Sequence, residues 1–266
     1  MITHTSIGYS GRLGNQMFQY ATLKALALRK GYEPVLPIHT QVKKDGVYDY
    51  TNGKWISYKL DLQECFNLRI SFQNTNLPKM YREVGFTYDN GINKVEDDTS
   101  LEGYFQSYKY FEDYSEEVLK DFTFQESILK NCQKALPETL TEIVAVHVRR
   151  GDYVAHPGYW NTTPEYLQQA LNEFSDKEYL FLVFSDDLEW CKSIFPEGTH
   201  YSEGRTQFED LCLMSMCDHN IISNSSFSWW GAYLNANKDK RVIAPKEWFI
   251  PAKPLSDLYP KNWIVL

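Results

Sequence analysis

The chain has 266 residues, 43% apolar and 15% aromatic, enough to fill one large or two modest cores. Its formal charge of -8 argues against a general nucleic-acid binder, because a phosphate backbone demands a basic face that 27 Lys and Arg against 35 Asp and Glu do not offer. The five cysteines (Cys65, Cys132, Cys191, Cys212 and Cys217) show neither CxxC nor Cys/His ligand spacing, which argues against disulfide and zinc frameworks and for reduced, buried thiols.

The opening MITHTSIGYS lacks a basic flank with an apolar core, and no apolar run approaches a membrane span. A cytoplasmic protein is expected, with peripheral contact at the inner membrane left open. Ile2 to Gly8 reads as a strand, YSGRLG as a turn, Asn15 to Lys30 as a helix with Asn15 as its N-cap, and Pro34 to Ile38 as a second strand, a βαβ opening. Residues 39–100 lack periodicity and read as irregular. Helices near Ser115 to Phe122 and Gln125 to Leu136 lead to Pro137, where the expected domain junction lies, giving domains 1–137 and 138–266.

Beyond Pro137 the pattern is regular. Strands are expected at Ile143 to Arg149, Tyr179 to Ser185, His200 to Tyr201, Asn220 to Ser223 and Arg241 to Ala244. Helices alternate with them at Thr163 to Phe174, Asp187 to Ile194, Gln207 to Met216 and Phe227 to Asn235, which predicts a parallel sheet covered by helices. Ligands bind such sheets beyond the carboxyl ends of the strands, and three polar clusters fall there: Arg149 to Asp152, Ser185 to Asp187, and Asn224 to Ser226.

Strand alternation puts His147 and Arg149 on one face and Val148 and Arg150 on the other. A guanidinium suits a diphosphate because its planar fork donates paired hydrogen bonds and stays charged. Arg149 is the candidate ligand for it; an Arg150–Asp152 pair reads as structural, and His147 as either a core histidine or a nucleobase contact. The glycine turn ahead of Asn15 could offer backbone N–H groups to phosphate but keeps neither dinucleotide nor Walker spacing. Asp186 and Asp187 are adjacent on extended chain and point apart, so a metal pair is not expected; with Glu189 three places after Asp186 they read as a helix cap. Ser225 and Ser226 can cap the helix that follows, whose first N–H groups suit phosphate, and at least one of Trp229 and Trp230 is expected in the core. The glycosylation-like triplets at Asn161 and Asn224 carry no weight without a secretory signal.

Four ordered blocks, GRLGNQMFQYA at 11–21, VAVHVRRGDY at 144–153, FLVFSDD with Trp190 and Cys191, and SNSSFSWWGAYLN at 223–235, resemble the α-1,2-fucosyltransferase family. The resemblance implies an α/β, GT-B-like fold of two Rossmann-like domains facing a cleft, the first on the acceptor side and the second binding the nucleotide sugar. It implies GDP-β-L-fucose as donor, inversion to an α linkage, no required metal or other cofactor, and a galactose-terminated surface glycan, free or lipid-linked, as acceptor. Carried onto this sequence, it puts Arg149 on the β-phosphate, His147 near the guanosine, and Gly11, Gly14, Asn15, Gln16, Ser225 and Ser226 around the diphosphate, with Arg150, Ser185, Asp186 and Asn224 completing the donor-binding set. Asp152 is the first candidate for the base that deprotonates the acceptor, with His156 or Glu165 next. Two alternatives stay open: a GDP-fucose-dependent transferase of different linkage or protein acceptor, and a non-catalytic nucleotide-sugar or glycan-binding module.

Overall fold

The computed structural model describes residues 1–38 and 60–266, together with the backbone of two short strands at 47–49 and 54–56. The chain divides into two compact units, Met1–Gln125 with Pro254–Pro260, and Glu126–Lys253 with Lys261–Leu266.

In the first unit, β1 (Ile2–His4) leads to α1 (Leu13–Lys30), β2 (Pro34–Pro37), the antiparallel pair β3 (Val47–Asp49) and β4 (Lys54–Ile56), and the single turn α2 (Leu62–Cys65). Then come β5 (Ser71–Gln73), β6 (Lys79–Arg82), β7 (Thr99–Glu102) and α3 (Ser115–Asp121). Among the described residues these form a five-stranded parallel sheet in the order β5-β2-β1-β7-β6. Helix α1 buries Leu13, Met17, Phe18, Leu23 and Leu26, and also Gln16, Gln19 and Thr22, and the two glutamines find hydrogen-bond partners inside. It stops at Gly31, whose left-handed φ of 71° suits the residue that follows a helix and whose N–H returns to Ala27 O.

The second unit begins with α4 (Glu126–Ala135) and β8 (Glu142–Val148), then α5 (Gly151–Val154), α6 (Pro164–Asn172), β9 (Tyr179–Ser185), α7 (Leu188–Ile194) and β10 (His200–Tyr201). It continues with α8 (Gln207–Met216), β11 (His219–Ile221), α9 (Ser226–Leu234), β12 (Val242–Ala244) and β13 (Ile264–Val265). Its six-stranded parallel sheet runs β10-β9-β8-β11-β12-β13. Strand order reverses between β8 and β11, and in the first sheet between β1 and β7. Those are the places where ligands enter open α/β sheets. Val144, Val146, Val183, Ile221 and Ile243 fill the core beneath α6.

Four expectations need correction. The division of the chain falls after Gln125, ahead of α4, because α4 packs on α8, where Cys132 Sγ donates to Glu209 O (3.4 Å) and Asn131 Nδ2 to Glu209 Oε1 (2.9 Å). Pro254–Pro260 belongs to the first unit, held there by the Lys109–Asp257 ion pair and by Ser107 Oγ on Asp257 O at 2.7 Å. The first strand ends at His4, where Thr5 begins a run of turns through Gly8. Within the stretch read as irregular, β5, β6 and β7 are ordered strands; β5 and β6 are the sheet's outermost strands, largely solvated, so they carry no apolar alternation. Residues 39–46, 50–53 and 57–59 of that stretch lie outside the described residues. All five cysteines are buried thiols, none in a disulfide.

Candidate functional site

In the second unit the carboxyl ends of β8 and β9 bring Arg149 between two carboxylates. Its Nη1 lies 2.6 Å from Asp186 Oδ2, its Nη2 contacts Asp152 Oδ1, and its Cζ sits 5.2 Å over the Tyr153 ring. These bonds engage two of the five guanidinium N–H groups. Asp186 also accepts from the Arg150 backbone N–H at 2.9 Å. Gly151 makes this possible: a Cβ there would stand 2.3 Å from Asp186 Oδ2.

Arg150 takes the opposite side of the strand, as alternation requires, but its partner is Asp187, with Nε donating at 3.0 Å, and its Cζ lies 3.9 Å over Trp190. The expected Arg150–Asp152 pair is therefore replaced by Arg149–Asp152. The reason is α5: the chain coils immediately after Arg150 and returns Asp152 to the Arg149 side. The cap of α7 is likewise Asp187, which accepts from Trp190 N–H (3.2 Å), and not Asp186; Ser185 Oγ supports it by accepting from Asp187 N–H at 2.9 Å.

Across the strand-order reversal, His147 Nδ1 meets Ser223 Oγ at 2.7 Å, and its ring packs 5.7 Å from Phe227 at the start of α9. Burial, then the neighbouring Arg149 charge, pushes the His147 pKa down to about 3, so it is neutral near pH 7. Ser225 is the N-cap of α9, accepting from Phe227 N–H at 3.3 Å, and Ser226 is the first helical residue. The positive end of α9 thus opens beside His147. Asn224 is fully buried, and its Nδ2 donates to Trp160 O (2.6 Å) and Trp248 O (3.0 Å), pinning the loops after β8 and β12. Trp229 and Trp230 both lie in the core. At the head of α6 the Glu165 carboxyl is held below its usual range, first by its own backbone N–H and then by the Thr163 side chain, and His156 is exposed, accepting from Gly158 N–H at 3.1 Å.

The first unit has a matching polar seam where β1 and β7 part. Gly11 has φ +91° and lies so close to Asn15 that a Cβ would stand 2.3 Å from Nδ2. Helix α1 starts at Leu13 with Arg12 as N-cap, so Asn15, expected as the cap, instead lies within the first turn and accepts from Gln106 Nε2; Gly14 is buried in that turn. Gln16 is fully buried, donating to Gly11 O (3.5 Å) and accepting from Asp61 N–H (2.9 Å). Gln19 donates to Ser10 O (3.0 Å) and Gly103 O (3.1 Å), and His4 meets Gly103 O at 3.1 Å. His4, Gln19, Gly103 and Gln106 went unnoticed in sequence; the available signal was two glutamines on the buried side of α1. Among the described residues no group of three or more His, Cys, Asp or Glu is placed to hold a metal ion.

The whole chain, residues 2–266, matches the model for Glycosyl transferase family 11. The chain belongs to that family. This family 11 glycosyltransferase is 32% identical to an α-1,2-colitosyltransferase of Escherichia coli, with 96% of each chain covered. It is 33% identical to the O-antigen biosynthesis glycosyltransferase WbnK of Escherichia coli, covering 97% of this chain and 98% of the other. It is 30% identical to galactoside α-(1,2)-fucosyltransferase 2 of Pongo pygmaeus, covering 96% and 75%. In fold it is similar to the fucosyltransferase NodZ from Bradyrhizobium (TM-score 0.53, 12% identity, 88% and 92% covered). It is similar also to POFUT1 in complex with GDP-fucose (TM-score 0.50, 13% identity, 100% and 97% covered). The family 11 enzyme thus has an α/β, GT-B-like fold with a parallel sheet in each unit.

Proposed function

We propose that this enzyme transfers L-fucose from GDP-β-L-fucose to a galactose hydroxyl, O2, of a surface glycan, with inversion and without a metal ion. The second unit binds the donor. The observation that carries the reading is Arg149, held at a strand-order reversal with three N–H groups to spare, beside a neutral histidine and the amino end of α9. Relatives named for α-1,2 transfer of fucose or colitose, about equally similar to this chain, support the donor and acceptor classes.

The acceptor oxygen attacks the anomeric carbon while the bond from that carbon to the β-phosphate oxygen breaks, through an oxocarbenium-like state. Negative charge grows on the departing diphosphate. Arg149 and the first N–H groups of α9 are the preorganised donors that receive it, and losing one such donor costs roughly 3–4 kcal/mol, a hundred- to thousandfold in rate. His147 stays neutral near pH 7, its pKa pushed down to about 3 by burial and then by the Arg149 charge. The acceptor proton passes to Asp152, the carboxylate that already touches Arg149. Asp152→Asn is expected to lower kcat by a factor on the order of 100 or more and to change the pH–rate profile; full activity with an unchanged profile would move the base elsewhere.

A second donor is favoured by one observation: the 32% identity to an α-1,2-colitosyltransferase extends over 96% of both chains. Colitose is L-fucose without its 3-hydroxyl, so kcat/KM measured with GDP-fucose and GDP-colitose separates the two. A site that hydrogen-bonds O3 rejects colitose strongly, whereas one that presents apolar surface there accepts it. No helix among the described residues is long and apolar enough to cross a membrane.

A further inference from the structure

The loop after β8 carries a second constellation that the donor chemistry does not use. Tyr153 and Tyr159 stack with centroids 4.3 Å apart and planes 12° from parallel. His156 packs 4.5 Å from Tyr159, and the ring of Phe249, from the loop after β12, lies 6.0 Å from that of Tyr159. These rings are not a core. Tyr153, Tyr159 and Phe249 are only half-buried, His156 is exposed, and the flanking Val154 and Ile250 are 52% and 53% exposed. Large apolar and aromatic side chains gathered at a surface mark a place where a partner covers them.

The platform is also held rigid. Tyr159 and Phe249 form an antiparallel bridge, Ile250 N–H donates to Gly158 O at 2.9 Å, and Asn224 Nδ2 joins the two loops from below through Trp160 O and Trp248 O. A surface ordered before binding gives up less freedom when it binds. Its position selects the occupant: Tyr153, at one end of the stack, lies under Arg149, with Cζ 5.2 Å from the ring centroid.

We infer that Tyr153, Tyr159 and Phe249, with His156 at their edge, form the acceptor subsite, a platform on which the apolar C–H face of a galactopyranoside stacks while its hydroxyls meet the phenol and imidazole tips. The attacking sugar must lie next to the group that receives the leaving diphosphate, and this platform begins at that group. Aromatic rings with a polar tip suit a ligand that is apolar on one face and hydroxylated at its rim. The inference rests on the proposed reading of Arg149 and on a galactoside as acceptor.

Saturation-transfer NMR with lactose as the probe tests it without requiring turnover. Saturation of the galactosyl ring protons is expected with the wild type and with Tyr159→Phe, which keeps the ring. It is expected to fall by about fivefold or more in Tyr159→Ala and Phe249→Leu, while GDP affinity by calorimetry stays within about twofold and so reports an intact second unit. Unchanged saturation in both truncations, or none with the wild type, overturns the platform. So does a loss confined to sedimentation with anionic phospholipid vesicles, which would make the patch a membrane contact. If lactose shows the expected pattern but no GDP is released from GDP-fucose, the donor reading fails and the platform stands.

Discussion

At Gly151 the absence of a side chain has a measurable consequence. A methyl group there would stand 2.3 Å from Asp186 Oδ2, and Asp186 is half of the clamp on Arg149. Gly151→Ala is therefore expected to lower kcat by about tenfold or more with GDP affinity reduced in step, because a displacement of about 1 Å at a reacting group has this scale of effect. The two neighbouring arginines should fail differently. Arg149→Ala removes charge stabilisation of the leaving group, a loss of roughly a hundred- to thousandfold in turnover with the melting temperature little changed. Arg150→Ala removes a guanidinium stacked on Trp190 and paired with Asp187, and is expected to lower stability by about 1–3 kcal/mol in denaturant unfolding. Strand alternation alone separated these two residues in the sequence. What it did not reveal was α5: a four-residue turn has no periodicity to detect, and it decides which arginine Asp152 meets.

At the scale of elements, α8 supplies a pH prediction. Asp210, in its first turn, accepts from Ser202 Oγ at 2.5 Å, and burial raises its pKa to about 6 from an ordinary 3.8. The folded state therefore holds this proton more tightly than the unfolded chain, and stability from Asp210 declines as pH rises through the window from 3.8 to about 6. Asp210→Asn keeps an acceptor for Ser202 without the charge and is expected to stabilise the protein at pH 7 by on the order of 2 kcal/mol, with no gain below pH 4. The measurement is the difference in unfolding free energy between variant and wild type. His4 and His147, both pushed down to about 3 by burial, act oppositely in the same acid range, since their contribution is lost as pH falls from 6.5 toward 3. Elements with enough buried residues were legible: β9 and α8 lie where their apolar patterns put them. The short outer strands β5, β6 and β13 were not, because they join the sheets through backbone hydrogen bonds while their side chains are partly or wholly solvated.

For the molecule as a whole, alternation of strands and helices in the second half predicts the parallel sheet that is found, and three polar clusters fall at or just beyond its strand ends. The first half concealed as much as it disclosed. Its seam is built from Asn15, Gln16, Gln19 and Gln106, amides whose partners are backbone groups and one another, and nothing in local spacing announces a bond across 91 residues. The return of Pro254–Pro260 to the first unit was equally hidden, since it depends on Asp257 meeting Lys109 and Ser107 far away in the chain.

Fucose transfer from GDP-fucose to a galactoside by a family 11 enzyme built around Arg149 is the proposed reaction. Its most direct test is GDP release in the presence of EDTA, with GDP-fucose as donor, GDP-mannose as control and a panel of galactose-terminated acceptors, run on wild type and Arg149→Ala. Acceptor-dependent release from GDP-fucose alone is expected, undiminished by chelation and reduced by roughly a hundredfold or more in the variant. Release from GDP-mannose at the same rate, a requirement for divalent metal, or near-normal turnover by Arg149→Ala would contradict it.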